Sequence, residues 1–268
     1  MLSKDTASYR SLSRGSRKAV NGFSRADAAG HEKERVRLLV AQVPLALYDD
    51  VMKLYLATNN AHKKREAAEI FSSYEIVIPA DEGIDCNPEE TGATFFENAL
   101  IKARALYELV YSPVIADDSG ICVDALGGRP GIFSSRYGGR DFPCGRADGK
   151  KTAQNEQNRF LIEELNEALE SGVDAERFLH GARSAHYTCA MVLYLGHQRI
   201  YCAQETMEGA IVATVEDSRG NGGFGYDPIF FIPEIGKTAA ELSGEEKNAL
   251  SHRGKAGRSM QRIIEMLQ

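Results

Sequence analysis

Asp117 and Asp118 stand side by side in Ala116-Asp117-Asp118-Ser119-Gly120, directly after the apolar run Val114-Ile115-Ala116. The run reads as the end of a buried strand. Neighbouring strand residues point to opposite faces, so both acids reach one ligand only if the chain turns at 117–119, a turn that Gly120 would permit through a positive φ. Two carboxylates at the mouth of a strand suit a hard cation such as Mg2+, or one metal ligand and one general base. Solvated acids in an Asx-type turn are the plainer alternative.

A second chemical stretch is Gly220-Asn221-Gly222-Gly223-Phe224-Gly225-Tyr226-Asp227-Pro228. Its glycines let the backbone approach a flat ligand. Phe224 and Tyr226 offer stacking faces of the kind nucleobases use, and Asp227 can fix a turn or accept a ring N–H. A hairpin turn with aromatic packing would use the same residues. Downstream, the capping box Ser243-Gly244-Glu245-Glu246 opens a helix containing Lys247, which Ser251-His252-Arg253-Gly254 breaks. His252 and Arg253, between two helix ends, are a candidate ligand clamp.

The elements that must position these groups follow from periodicity. Lys53–Ala57 reads as a buried strand feeding Thr58-Asn59-Asn60-Ala61-His62-Lys63, then a helix with Ala67, Ile70, Phe71 and Tyr74 inward. A strand, polar turn and helix N-terminus together make an anion site, with Thr58 and Asn60 as side-chain donors and Lys63 as a cation. A second strand is expected over Glu75–Pro79. After the acidic loop Ala80–Ala93, which carries Glu89 and Glu90, Thr94 and Glu97 form a capping box. In the helix that follows, Asn98 and Lys102 lie four apart and could present an amide and an ammonium to a phosphate. Further expected elements are a helix over Gln154–Leu169, a hairpin of Ala185–Leu195 and Gln198–Gln204 about Gly196-His197, a strand over Glu208–Val215, a strand over Ile229–Ile232 and a C-terminal amphipathic helix.

The 268 residues, 43% hydrophobic and 26% charged, suit a soluble globular protein. The net charge of −6 argues against electrostatically driven nucleic-acid binding, and no apolar run approaches the roughly 20 residues of a membrane span. Five cysteines without C-x-x-C spacing fit free thiols in a reducing compartment such as the cytoplasm. Residues 1–51 differ in character: basic, rich in Ser, Ala and Gly, and too poor in large apolar residues to fold alone, with a short helix over His31–Val43. A transit peptide, a basic arm, or an upstream extension with Met52 as the operative start would each account for them.

Five stretches stand in one order: T-x-N-x-x-K at Thr58–Lys63, E-E-T-G-x-T-F-x-E-N-A at Glu89–Ala99, A-D-D-S-G at Ala116–Gly120, G-G-F-G-Y-D-P at Gly222–Pro228 and S-H-R-G at Ser251–Gly254. From about Lys53 to the C-terminus the chain resembles the noncanonical purine nucleoside triphosphate pyrophosphatases, the inosine triphosphate pyrophosphatase family. The resemblance implies an α/β fold with a long, mixed, twisted central sheet flanked by helices, in two lobes with a cleft between them. It also implies a homodimer, a Mg2+ requirement and hydrolysis of ITP, dITP or XTP to the monophosphate and pyrophosphate, which clears such nucleotides before they enter DNA or RNA.

By the same resemblance Thr58, Asn59, Asn60, Ala61, His62 and Lys63 would hold the triphosphate with help from Lys102. Glu90 would bind the metal, Asp118 would be the metal-linked general base with Asp117 beside it, and Ser119 would touch substrate. Phe224, Gly225, Tyr226 and Asp227 would form the base pocket, completed by Lys247, His252 and Arg253, with donors to a purine 6-keto oxygen from the last two. The chain departs from the family at Asn59 and His62, where glycines are common, in its longer 141–184 segment, and in residues 1–51, which have no counterpart. Two other classes compete: a nucleotide sensor without a base, and a nucleic-acid binder using the basic arm. Within enzymes, a phosphohydrolase for another triphosphate is the alternative.

Overall fold

A computed structural model describes residues 53–174 and 177–268. The expected basic extension of residues 1–51, with its helix over His31–Val43, lies outside the described residues. The described chain runs β1 (Lys53–Leu56), α1 (Ala61–Ile70), β2 (Glu75–Val77), α2 (Phe95–Val110), β3 (Val114–Val123), β4 (Arg129–Pro130), α3 (Gln154–Glu170), β5 (Ser184–Tyr194), β6 (Ile200–Ile211), β7 (Phe230–Ile232), β8 (Lys237–Thr238), α4 (Gly244–Leu250) and α5 (His252–Met266).

Among the described residues eight strands form one mixed sheet in the order β2-β1-β3-β5-β6-β7-β8, with β4 on the far end of β3. β1 is parallel to β2 and β3; all other pairs are antiparallel. The α/β fold and mixed central sheet implied by the sequence are therefore present. β5 lies between β3 and β6 and is buried along nearly its whole length, which explains its apolar run of Cys189 to Tyr194. Helix α2 shows Ala99, Ala103, Leu106 and Tyr107 to the sheet, and the two alanines let it lie close to the strands. It joins Val114, Ala116 and Val192 in one core, while Ile115, Met191 and Leu193 on the other face join α1 and α5 through Ala67, Phe71, Ala256 and Met260.

The hairpin about Gly196-His197 is as expected, with Gly196, His197 and Gln198 all at positive φ. The two strands expected over Gln198–Gln204 and Glu208–Val215 are instead one strand, β6. The polar stretch between them is paired across the sheet and capped by α5: Ser259 Oγ donates to Glu205 (3.0 Å) and Lys255 Nζ to the Thr206 carbonyl (2.9 Å). Polar residues covered by a helix looked from sequence like a break.

The strand order has one point where it reverses. From β1 the chain passes through α1 to β2 on one side, then through α2 to β3 on the other. In open α/β sheets ligands bind outside the carboxyl ends of strands at such a switch point. Here that place is the loop Ala57–Asn60 after β1. β1 pairs with β3 only as far as Leu56 with Ile115, so Asp117, Asp118 and Ser119 extend past its end.

Candidate active site

β3 does not turn at its acidic pair. It runs straight through Asp117 and Asp118, each paired to β5 opposite Met191 and Ala190. Gly120 is not at positive φ, which corrects the expected turn. The glycine is required for a different reason, since a Cβ there would collide with the Gly131 carbonyl and Ser134 Oγ. Gly120→Ala is expected to destabilise the protein by about 1–3 kcal/mol, the usual cost of overpacking, read as a lower urea midpoint.

Because the strand is regular, the two acids part. Asp118 faces α2. Its carboxylate accepts from Lys102 Nζ (3.0 Å) and Asn98 Nδ2 (3.3 Å), and the same Lys102 Nζ lies 2.9 Å from Glu90. Asn98 also accepts the Gly92 N–H at 2.8 Å, tying the Glu90 loop to the helix. The Thr94–Glu97 capping box forms as expected and starts α2 where Asn98 and Lys102 reach the strand. Burial raises the Asp118 carboxyl above its ordinary value, with Lys102 and Lys63 pulling the other way. Burial likewise opposes the Lys102 charge, but Asp118, Asp117 and Glu90 outweigh it and hold the ammonium above its usual range.

Asp117 faces α1 and α5, where Lys63 Nζ lies 2.9 Å and Arg253 Nε 3.2 Å from its Oδ2. Burial alone would raise its carboxyl; Lys63 and Arg253 outweigh it and hold the group well below the usual carboxylate range. Asp117 thus belongs to a buried ion network, and its expected place beside Asp118 at one metal is corrected by the pleat of the strand. Arg253 also donates to Glu66 (2.6 Å) and Ser119 Oγ (2.9 Å). Each guanidinium nitrogen therefore has a partner within the chain, although the group carries more N–H donors than these three acceptors use.

In the loop after β1, Asn60 is the helix cap. Its Oδ1 accepts the His62 and Lys63 N–H groups at 2.9 and 3.4 Å, so those helix N–H groups are not free as expected. Thr58 Oγ accepts the Asn60 N–H (3.2 Å), Asn59 Nδ2 donates to the Cys86 carbonyl (3.5 Å), and Ala61 is the first helical residue.

Asp227 holds the glycine-rich loop. It accepts from Lys247 Nζ (2.6 Å), the Phe224 N–H (2.8 Å) and Tyr187 OH (3.2 Å). Gly225 takes a φ of 70° and its carbonyl accepts from Asn158. Of the two expected stacking faces only Phe224 is available, at 39% exposed. Tyr226 is 3% exposed and donates its hydroxyl to the Ser134 carbonyl. Its ring is core, because the chain turns inward after Gly225 and buries Tyr226 and Asp227 together.

His252 is buried and lies parallel to the Tyr187 ring, with centroids 4.8 Å apart. Its Nδ1 has no hydrogen-bond partner. Burial first and Arg253 second push its pKa well below 6.5, so the folded protein keeps the ring neutral. An unfolded histidine takes up a proton near 6.5, so stability falls as pH drops below that value and this group adds no slope above it. The wild type is expected to lose about 1 kcal/mol per pH unit there from this group. His252→Phe is expected to flatten that limb in urea titrations between pH 7 and 5.

The structure thus gathers Lys63, Asp117, Ser119 and Arg253 on one face of β3, and Glu90, Lys102 and Asp118 on the other. Phe224, Asp227 and Lys247 form a third group, linked to the first where the Arg253 guanidinium lies 5.8 Å from the Phe224 ring centre. Sequence reasoning missed Glu66 and Tyr187. Glu66 had a signal, three residues after Lys63 and on the same face of α1; a hydroxyl inside a β-strand has none.

Residues 54–263 match the Ham1 family. A Treponema denticola protein named dITP/XTP pyrophosphatase is 48% identical over 213 residues, spanning 80% of this chain and 98% of its own length. A Shigella flexneri protein of the same name is 44% identical over 212 residues, spanning 77% and 94%. The Ham1 protein structures of Staphylococcus aureus and Coxiella burnetii superpose with TM-scores of 0.64 and 0.66 at 33% and 35% identity. They cover 81% and 80% of this chain, and 100% and 99% of their own. With the family match spanning the sheet, both faces of β3 and the glycine-rich loop, this chain belongs to the Ham1 family.

Proposed function

We propose that residues 53–268 form a nucleoside triphosphate pyrophosphohydrolase that converts dITP, ITP and XTP to the monophosphate and pyrophosphate. The observation that carries this reading is the meeting of Glu90 and Asp118 on one Lys102 ammonium, beside the loop at the switch point. The names of the relatives support the substrate class.

The donor set fits a divalent cation. Two carboxylates already converge on a cationic nitrogen, and their oxygens are hard ligands. Mg2+ commonly takes one or two carboxylates and fills its other positions with water and phosphate. Glu90 and Asp118 would hold it, and when bound it would neutralise phosphate charge and orient the chain.

The chain's own groups divide the remaining work. Asp118, whose proton affinity is raised by burial, takes the proton of the attacking water. Lys63 and Lys102 stabilise charge that grows in phosphoryl transfer. Thr58–Ala61 and Lys63 cradle the phosphates, and Ser119 is held toward them by Arg253. The base lies on Phe224. His252 and the unused Arg253 N–H groups, with Lys247, face its edge. A purine 6-amine would leave such donors unpaired, which is how a polar site rejects the wrong substrate by a large factor.

The test is pyrophosphate release with Mg2+ from dITP, ITP, XTP, ATP and GTP side by side. Release from the first three far above the last two is expected: ATP lacks the 6-keto oxygen, and GTP, which has it, is turned away at its 2-amino group. Equal release from all five would keep a hydrolase and sink the 6-keto selection. The proposal includes a homodimer in the cytoplasm, and a catalytic unit independent of the extension, so a chain lacking residues 1–51 is expected to hydrolyse ITP at the full-length rate.

A further inference from the structure

His62 sits in the phosphate loop by sequence, yet its ring is directed elsewhere. The backbone N–H is committed to the Asn60 cap. The imidazole lies over Phe224, with ring centroids 5.9 Å apart and planes inclined by 30°. One turn along α1, an Arg65 N–H donates to its Nδ1 at 2.8 Å and holds the ring in that orientation. Phe224 is held equally firmly, by the Asp227 carboxylate on its N–H and by Lys247 Nζ 5.0 Å from the ring centre. Two exposed planar groups from distant parts of the chain, each with its own neighbours, thus lie one over the other at the site.

A flat ring between two others needs about 7 Å from plane to plane, twice a contact distance of ~3.5 Å. The centroid distance of 5.9 Å is an upper bound on the present gap, so the two exposed rings part by upwards of about 1 Å as a base enters. The geometry points to His62 as the second wall of the base pocket: the purine inserts between His62 and Phe224, and the imidazole contacts the base rather than the phosphates. This rests on the proposed function and deepens it. Stacking tolerates any purine, because each has a π face. His62 therefore sets how tightly a purine is held, while the edge donors set which purine is accepted.

The test separates base from phosphate binding without turnover. Affinities for IMP and for inorganic tripolyphosphate are measured by calorimetry, with Mg2+ present, on wild type, His62→Ala and His62→Phe. Loss of one stacking partner is expected to weaken IMP about 10-fold in His62→Ala. Tripolyphosphate affinity is expected to stay unchanged, and His62→Phe to bind IMP as the wild type does. In turnover the loss falls on KM alike for ITP, dITP and XTP. Equal weakening of IMP and tripolyphosphate would return His62 to the phosphate loop and overturn the inference, as would unchanged IMP affinity in His62→Ala. A wild type that binds IMP but releases no pyrophosphate from ITP would overturn the proposed activity alone.

Discussion

Asp118→Asn is expected to lower kcat for ITP by about 10²–10⁴-fold, the range over which a positioned general base acts, with a much smaller change in KM. The substitution keeps the side-chain volume and leaves Lys102 its Glu90 partner, so the fold and the phosphate-binding lysines persist. Pyrophosphate release under saturating ITP and Mg2+ reads the effect. The wild-type pH profile supplies a second reading. Burial raises the carboxyl against the pull of Lys102 and Lys63, and a bound cation would pull it down further, so the acid limb of kcat/KM is expected to move to lower pH as Mg2+ is raised. Wild-type turnover in Asp118→Asn would remove it as the base.

Asp117→Asn is expected to act on stability instead. Asp117 is 3% exposed and serves two cations, Lys63 and Arg253, the latter 4% exposed. Breaking one partner of a buried ion pair costs ~3–5 kcal/mol, because the other charge stays behind without its counter-ion. At about 2–4 °C per kcal/mol for a domain of this size, Tm should fall by roughly 6–20 °C. The pH dependence has a definite sign. The folded carboxyl is held below its unfolded value, so its contribution is complete above about pH 4 and is lost as pH falls through the folded value. The gap between wild type and variant should be full at neutrality and close in acid. A loss of stability in Asp118→Asn as large as in Asp117→Asn would sink this division of labour between neighbouring carboxylates.

The contrast between these two residues also marks what could be read from the sequence. Period and caps located α1, α2, α3 and α5, and the glycine-flanked turn located the β5–β6 hairpin, because those signals are local. The residues gathered at the site were legible through five ordered motifs. The face each one occupies was not. Whether Asp117 and Asp118 share a ligand depends on β3 continuing straight, and that follows from its pairing with β5, some 70 residues further along the chain. Tyr226 looked like Phe224 until the core showed which of them was buried. The apparent gap in β6 was polar only because α5, the last helix described, covers it.

One feature of the ion network bears on how the molecule comes into being. Arg253 joins Asp117, 136 residues earlier, and Glu66, 187 residues earlier. A ribosome adding ~5–20 residues per second needs roughly 10–40 s to get from Glu66 to Arg253. Over the last 136 residues of that interval Lys63, Asp117 and Glu66 can already be assembled around β1 and β3, with two carboxylates awaiting a guanidinium not yet made. The nascent chain is therefore without its central tie until α5 emerges, and the parts of the site become one catalyst only when nearly the whole described sequence has been synthesised.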